Sequence, residues 1–128
     1  MKGKEIALWV GSVLVALVMV FAGSGKLTAS PEMVANFVKW GFPVWFLYFL
    51  GAVEVLGGIG LLLPRTRFWA AVGLVPILIG AISTHLTHDD AAHAPLPAVL
   101  LLIVLASAWA RRDEKGRIFA AGKLLTGV

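Results

Sequence analysis

Long apolar stretches separated by short polar segments dominate the chain. A helix needs about 20 predominantly apolar residues to cross a bilayer, and the stretches meet that requirement four times. The predicted spans are residues 6–26, 44–63, 68–86 and 95–110. The fourth span opens with Pro95 and Pro97, and proline suits the first turn of a helix because the N–H groups there have no partner within the helix. The pattern predicts an all-α fold, an integral membrane four-helix bundle.

A shorter helical pattern lies in the first loop, between the first two spans. Ser30 followed by Pro31 is typical of a helix start, with a capping hydroxyl and then proline at the first helical position. Apolar side chains then recur at helical spacing, at Met33, Val34, Phe37 and Trp40. We expect a short amphipathic helix in this outer loop, lying along the surface of the membrane.

Composition agrees with a membrane protein and leaves room for one domain. The chain has 128 residues, of which 59% are hydrophobic and only 14% are charged, whereas about 25% of a soluble domain is charged. The mean hydropathy is +0.91. We therefore predict a single transmembrane domain over residues 1–128, with a tail over 111–128. The first apolar stretch is too long for a signal-peptide core and is interpreted as a retained span.

Charged residues are distributed unevenly between the two sets of loops. One set carries most of the positive charge, at Lys2, Lys4, Arg65, Arg67, Arg111, Arg112, Lys115, Arg117 and Lys123. The other set pairs Lys39 with Glu32 and contains Asp89 and Asp90. The positive-inside rule then predicts a multi-pass protein of the inner (plasma) membrane with both termini in the cytoplasm. This topology explains the net charge of +4 without a nucleic-acid partner.

Glu54 lies near the middle of the second predicted span. A carboxylate at that depth costs several kcal/mol, so it is expected to face protein rather than lipid. Gly51, Gly57 and Gly58 lie one turn away on its face and allow another helix to approach closely. Glu54 is therefore the first candidate for a ligand-binding residue. The alternative is a hydrogen bond that only holds two helices together.

Two further ionisable side chains, Lys26 and His85, lie at the ends of predicted spans. At 1.5 Å per residue, Glu54 is about 15 Å inside the second span, whereas both others lie near the outer surface. We therefore favour a role for Glu54 as a hydrogen-bonding group in a pocket over a direct ion pair with Lys26, which requires that the outer helix ends be recessed or that the second span start later. The alternative for Lys26 is a purely structural position, because a lysine at a helix end can extend its ammonium group to the lipid headgroups. Pro76 should kink the third span, which favours a cavity beside the second.

A second polar group follows the third span. His85, His88 and Asp89 share one helical face if that helix continues by a turn, and the spacing suits a divalent metal. An ordinary polar loop explains the same residues, so we predict no metal site. The chain contains no cysteine, so a redox role would need a bound cofactor or a partner protein.

Several sequence segments are distinctive when they are considered together. They are FAGSGKL at 21–27, GFP at 41–43, EVLGGIGLLL at 54–63 with PRTR at 64–67, and IGAI at 79–82 before His85. These segments resemble the DoxX / DoxX-like family of small four-span bacterial membrane proteins. Some members are subunits of a thiosulfate:quinone oxidoreductase, and others are associated with detoxification of thiol oxidants.

The resemblance implies a pocket lined by Lys26, Glu54 and His85, and it transfers no catalytic residue. It favours a redox-linked subunit that binds a quinone or another lipophile and has an oxidoreductase partner. Such a chain would be part of an enzyme rather than a self-contained one. A non-enzymatic lipid-binding or assembly protein is the first alternative. A small transporter is the second, and with four spans it would need to form a homo-oligomer.

Overall fold

The structure is a computed structural model that describes residues 2–88 and 91–116. Five α-helices make up most of these two ranges. The helices are α1 (Gly3–Leu27), α2 (Pro31–Trp40), α3 (Val44–Leu61), α4 (Arg67–Thr87) and α5 (Pro95–Ala110). Two 3₁₀ turns, Ala91–His93 and Arg112–Glu114, flank α5. No strand occurs in these two ranges, which confirms the predicted all-α fold. Asp89, Asp90, Arg117 and Lys123 lie outside the described residues.

Four helical segments of the described chain are long and apolar enough to cross a membrane. They are α1, α3, α4 and the segment Ala91–Ala110, which joins the first 3₁₀ turn to α5. Large apolar side chains point outward from them, with Phe21 83% exposed and Leu102 68% exposed. Polar side chains such as Glu54 and Arg111 are buried instead. A bundle with an apolar exterior and buried polar groups is the arrangement of a multi-pass membrane protein.

The end of the bundle that holds α2 also contains the last turn of α1, the last turn of α4 and the first turns of α3 and α5; we call it the α2 end. The opposite end, where α1 begins and α5 finishes, is called the termini end. Ser30 caps α2 by accepting a hydrogen bond from the Met33 N–H at 3.4 Å. Gly41 ends the helix with φ of +80°, a conformation that glycine adopts without strain.

The apolar face of α2 packs onto the bundle, which differs from the surface position that we expected. Phe37 is 4% exposed, and its ring lies 5.6 Å from that of Phe42 and 6.3 Å from that of Phe46. The difference has a simple cause, because a sequence pattern shows that one face is apolar but not what covers it. Here the face covers other aromatic side chains of the chain itself.

Glycines bring α3 close to both of its neighbours. A Cβ atom on Gly51 would lie 2.9 Å from the Gly23 carbonyl oxygen of α1, and one on Gly58 would lie 3.1 Å from the Ala16 oxygen. Gly57 faces α4 instead, where a Cβ would lie 2.7 Å from a Leu74 methyl group. These contacts fix α3 between α1 and α4 at separations that a larger side chain would prevent.

An ion pair closes the termini end. The Arg67 guanidinium at the start of α4 donates two hydrogen bonds of 2.7 Å to the Glu114 carboxylate. Trp69 donates its indole N–H to the Lys115 carbonyl at 2.8 Å. These bonds fold the second 3₁₀ turn back onto α4. The predicted tail over 111–128 is described as far as residue 116.

Arg111 is the second buried arginine at this end and is 1% exposed. It donates hydrogen bonds of 3.2 Å to the hydroxyls of Ser12 and Ser107. Its guanidinium carbon lies 5.5 Å from the centre of the Trp9 ring, and that of Arg67 lies 5.4 Å from the same ring. Trp9 therefore makes cation–π contacts with both arginines.

Candidate ligand-binding cavity

A cavity of about 530 Å³ lies inside the α2 end of the bundle. Its lining is predominantly apolar and draws on all five helices. Five aromatic side chains contribute to it: Phe37, Trp40, Phe42, Phe46 and Phe49. Small-molecule sites typically have volumes of about 300–1,000 Å³ and a few polar groups on an apolar lining. The cavity has the size and the lining of such a site.

Lys26 and Glu54 form a direct ion pair on the cavity surface. The Lys26 Nζ donates a hydrogen bond to the Glu54 Oε1 at 3.0 Å. The two side chains are 13% and 5% exposed, and both line the cavity. Our preference for a pocket hydrogen-bonding group over a direct ion pair at Glu54 was therefore wrong.

The error came from counting depth as if all helices reached the same plane. Lys26 lies level with Gly51, since a Cβ on Gly51 would be 2.9 Å from the Lys26 Cβ. Gly51 is seven residues into α3, which is about 10 Å along the helix axis. The end of α1 is therefore recessed, with α2 packed over that end of the bundle. From this position, the lysine side chain reaches Glu54 less than one turn further along α3.

His85 lines the same cavity from α4. Its ring lies edge-on to the Trp40 ring at 5.6 Å and is 5.8 Å from the His93 ring. His88 is turned toward its own helix, with Nδ1 2.9 Å from the Thr84 carbonyl oxygen. The structure thus brings Lys26, Glu54 and His85 to one cavity.

The metal candidates do not assemble a site within the described chain. Among residues 2–88 and 91–116, no three His, Asp or Glu side chains are grouped closely enough to hold a metal ion. Asp89, the third candidate beside His85 and His88, lies outside those ranges.

Sequence reasoning missed the contribution of Trp40 to the cavity. The sequence placed Trp40 only on the apolar face of the short outer-loop helix, yet its ring contacts both His85 and His88. The helical spacing of Met33, Phe37 and Trp40 was the available signal. It identified one face of α2, and that face now lines the cavity.

The polar groups give the cavity a defined chemistry. The Lys26 ammonium can donate a hydrogen bond to a ligand carbonyl, and the Glu54 carboxylate can accept one from a ligand hydroxyl. Because the pair carries no net charge, the cavity offers both functions without excess charge in a low-dielectric surrounding. The aromatic side chains offer flat apolar surfaces to a ring.

Comparison with known proteins identifies the family of the chain. Neither a curated protein nor a solved structure matches the chain at a significant level. The sequence model of the DoxX-like family matches residues 10–107. The matched segment extends from α1 to the last turn of α5 and contains Lys26, Glu54 and His85. This membrane protein therefore belongs to the DoxX-like family.

Proposed function

We propose that this protein is a redox-linked membrane subunit that binds a quinone or a similar lipophile in the cavity. The observation that carries the proposal is the Lys26–Glu54 ion pair, with a 3.0 Å contact, on the surface of a predominantly apolar cavity of about 530 Å³. Burying two charges is costly, and membrane carboxylates are retained mainly where they serve a site.

The chemistry of a quinone suits these groups. Lys26 would donate to a quinone carbonyl, and Glu54 would accept from the hydroxyl of the reduced quinol. Reduction of a quinone takes up two electrons and two protons. The side chains would bind the quinone and exchange protons with it, whereas the two electrons would come from an oxidoreductase partner.

The distribution of positive charge supports a location and an orientation for the protein. Lys2, Lys4, Arg65 and Arg112 lie at the termini end, which favours a cytoplasmic position for both termini in the inner membrane. The cavity would then lie toward the outer leaflet. His85 and Trp40 would lie closest to the outer surface.

A structural role for the ion pair is the second candidate. The Lys26–Glu54 pair joins α1 to α3 close to the contact between Gly23 and Gly51. A non-enzymatic lipid-binding or assembly protein would use the pair to hold these helices together. In that case Glu54→Gln, which keeps a hydrogen bond to Lys26, should leave the host system active.

Mass spectrometry of lipids that co-purify with the protein distinguishes the two candidates. We expect a quinone or another lipophile in preparations of the unsubstituted chain and less of it in Glu54→Gln. Glu114→Gln is the matched control, because it also alters a mostly buried ion pair but lies at the termini end. Loss of lipophile in both variants, or in neither, would contradict the proposal.

A further inference from the structure

Two helices, α3 and α4, flank one side of the cavity. At the termini end α3 and α4 are in tight contact, since a Cβ on Gly57 would lie 2.7 Å from Leu74 and one on Gly60 would lie 2.9 Å from the Ala70 Cβ. One turn closer to the α2 end, the facing residues of both helices line the cavity instead. The helices therefore leave a gap between them over this half of the bundle.

The gap opens toward the lipid. On α3 the cavity-lining Phe49 is 53% exposed. On α4 the cavity-lining residues Pro76 and Gly80 are exposed. A Cβ added to Gly80 would meet no atom within 4 Å. These residues lie on membrane-spanning helices, so the exposed side of the cavity faces hydrocarbon rather than water.

The ion pair restricts the charge of an occupant. A carboxylate placed at Lys26 would lie beside Glu54, and an ammonium placed at Glu54 would lie beside Lys26. Either ligand would bring like charges together in a medium that screens them weakly, or would leave one buried charge without its partner. An uncharged ligand with a carbonyl or hydroxyl group avoids both penalties.

We infer that the ligand is an uncharged lipophile that enters the cavity sideways from the bilayer, through the gap between α3 and α4 at Phe49 and Gly80. The inference rests on the proposed function for the existence of a ligand, and it adds the route and the charge class. The polar group of the ligand then reaches Lys26 and Glu54, while its apolar part remains near the gap.

Two glycines of α4 provide a matched test of the route. Gly73 and Gly80 are two turns apart on the same helix face, both are exposed, and a Cβ on either would meet no atom within 4 Å. Only Gly80 lines the cavity. Gly80→Phe should therefore obstruct the gap, whereas Gly73→Phe should place the same side chain in lipid beside closed packing.

A reporter thiol inside the cavity measures entry. The chain has no cysteine, so Ala22→Cys on the α1 side of the cavity provides a unique reactive group. In liposomes, we expect its labelling by the bilayer-dissolved N-decylmaleimide to be faster than labelling by a membrane-impermeant sulfonated maleimide. Gly80→Phe should slow labelling by N-decylmaleimide by about tenfold, the effect of a barrier raised by ~1.4 kcal/mol, and Gly73→Phe should not.

Competition tests the charge class in the same assay. Decanol should protect the thiol of Ala22→Cys, whereas decanoate and decylammonium should protect it less. Three results would overturn the inference. They are equal labelling rates for the two phenylalanine variants, faster labelling by the sulfonated maleimide than by N-decylmaleimide, and protection by decanoate or decylammonium equal to that by decanol. Gly80→Leu replaces Gly80→Phe if the larger side chain prevents folding. Labelling does not require a quinone. If the protein binds no quinone but Gly80→Phe still slows labelling, the proposed function is contradicted and the entry route is supported.

Discussion

Gly23 and Gly51 lie against each other, so that a Cβ on either residue would fall within 2.9 Å of the carbonyl oxygen of the other. This contact sets the spacing of α1 and α3 within one turn of the Lys26–Glu54 pair. The separation of two helix backbones thus determines whether a lysine and a carboxylate can meet inside the membrane.

Substitution of Gly51 by alanine should destabilise the protein. The new methyl group would meet the Gly23 oxygen and the Lys26 Cβ, both at 2.9 Å, and overpacking of this kind costs about 1–3 kcal/mol. Thermal unfolding in detergent measures the effect. Gly57→Ala should cost less, because the nearest atoms that it meets, at 2.7 and 3.0 Å, belong to the Leu74 side chain rather than to a helix backbone.

Gly73→Ala is the control for that series. Its Cβ meets nothing within 4 Å, and alanine is a better helix former than glycine by up to ~1 kcal/mol. The variant should unfold at the same temperature as the parent protein or slightly higher. A loss of stability at Gly73 equal to that at Gly51 would show that glycine content, not close packing, determines the effect.

The Lys26–Glu54 pair should behave as a coupled unit. Lys26→Met alone or Glu54→Leu alone leaves a mostly buried charge without its partner, and such changes cost about 3–5 kcal/mol. The double variant should be more stable than either single variant, because no unpaired charge remains. A double-mutant cycle on unfolding free energies in detergent measures the coupling. Additive single effects would indicate that the two side chains do not interact.

Glu114→Gln should loosen the chain after α5. The change removes the charge that holds Arg67 through two bonds of 2.7 Å, and hydrogen bonds to charged groups contribute about 1.5–3 kcal/mol. We expect faster tryptic cleavage at Arg112 in liposome-bound protein. Asp113, the exposed neighbour of Glu114, provides the control. The Asp113→Asn variant should be cleaved at the same rate as the parent protein. Equal acceleration in both variants would contradict a specific role for Glu114.

The proposed orientation can be tested with single cysteines, since the chain has none of its own. A cysteine at Lys2 should be protected from an impermeant maleimide in intact cells, because the termini end is proposed to face the cytoplasm. A cysteine at Lys39, in α2 at the other end, should be labelled. The reverse pattern would invert the topology.

Much of the fold follows from local sequence. Apolar length predicts helices that span a membrane, and Ser30 with Pro31 predicts the start of α2. These signals are local because backbone groups in lipid must be satisfied within each helix. The sequence also made Lys26, Glu54 and His85 candidate site residues, because ionisable groups are rare in such apolar surroundings.

The relations between helices were less predictable. The direct Lys26–Glu54 contact depends on the recessed end of α1, which no single span encodes. The position of Trp40 depends on which surface α2 covers. The spacing of apolar residues in α2 shows which face is apolar but not what that face covers. Both relations arise from tertiary packing, in particular from the close approach at Gly51.

Binding of a quinone to the purified protein is the most direct test of the cavity as a ligand site. We would measure equilibrium binding of a tritiated decyl-substituted benzoquinone to protein in nanodiscs, with empty nanodiscs to subtract partition into lipid. The unsubstituted chain and Glu114→Gln should bind alike. Lys26→Met should bind about tenfold or more weakly, as expected when a hydrogen bond from a charged donor is lost. Binding that is equal in all three proteins, or absent from the unsubstituted chain, would contradict a quinone site at the Lys26–Glu54 pair.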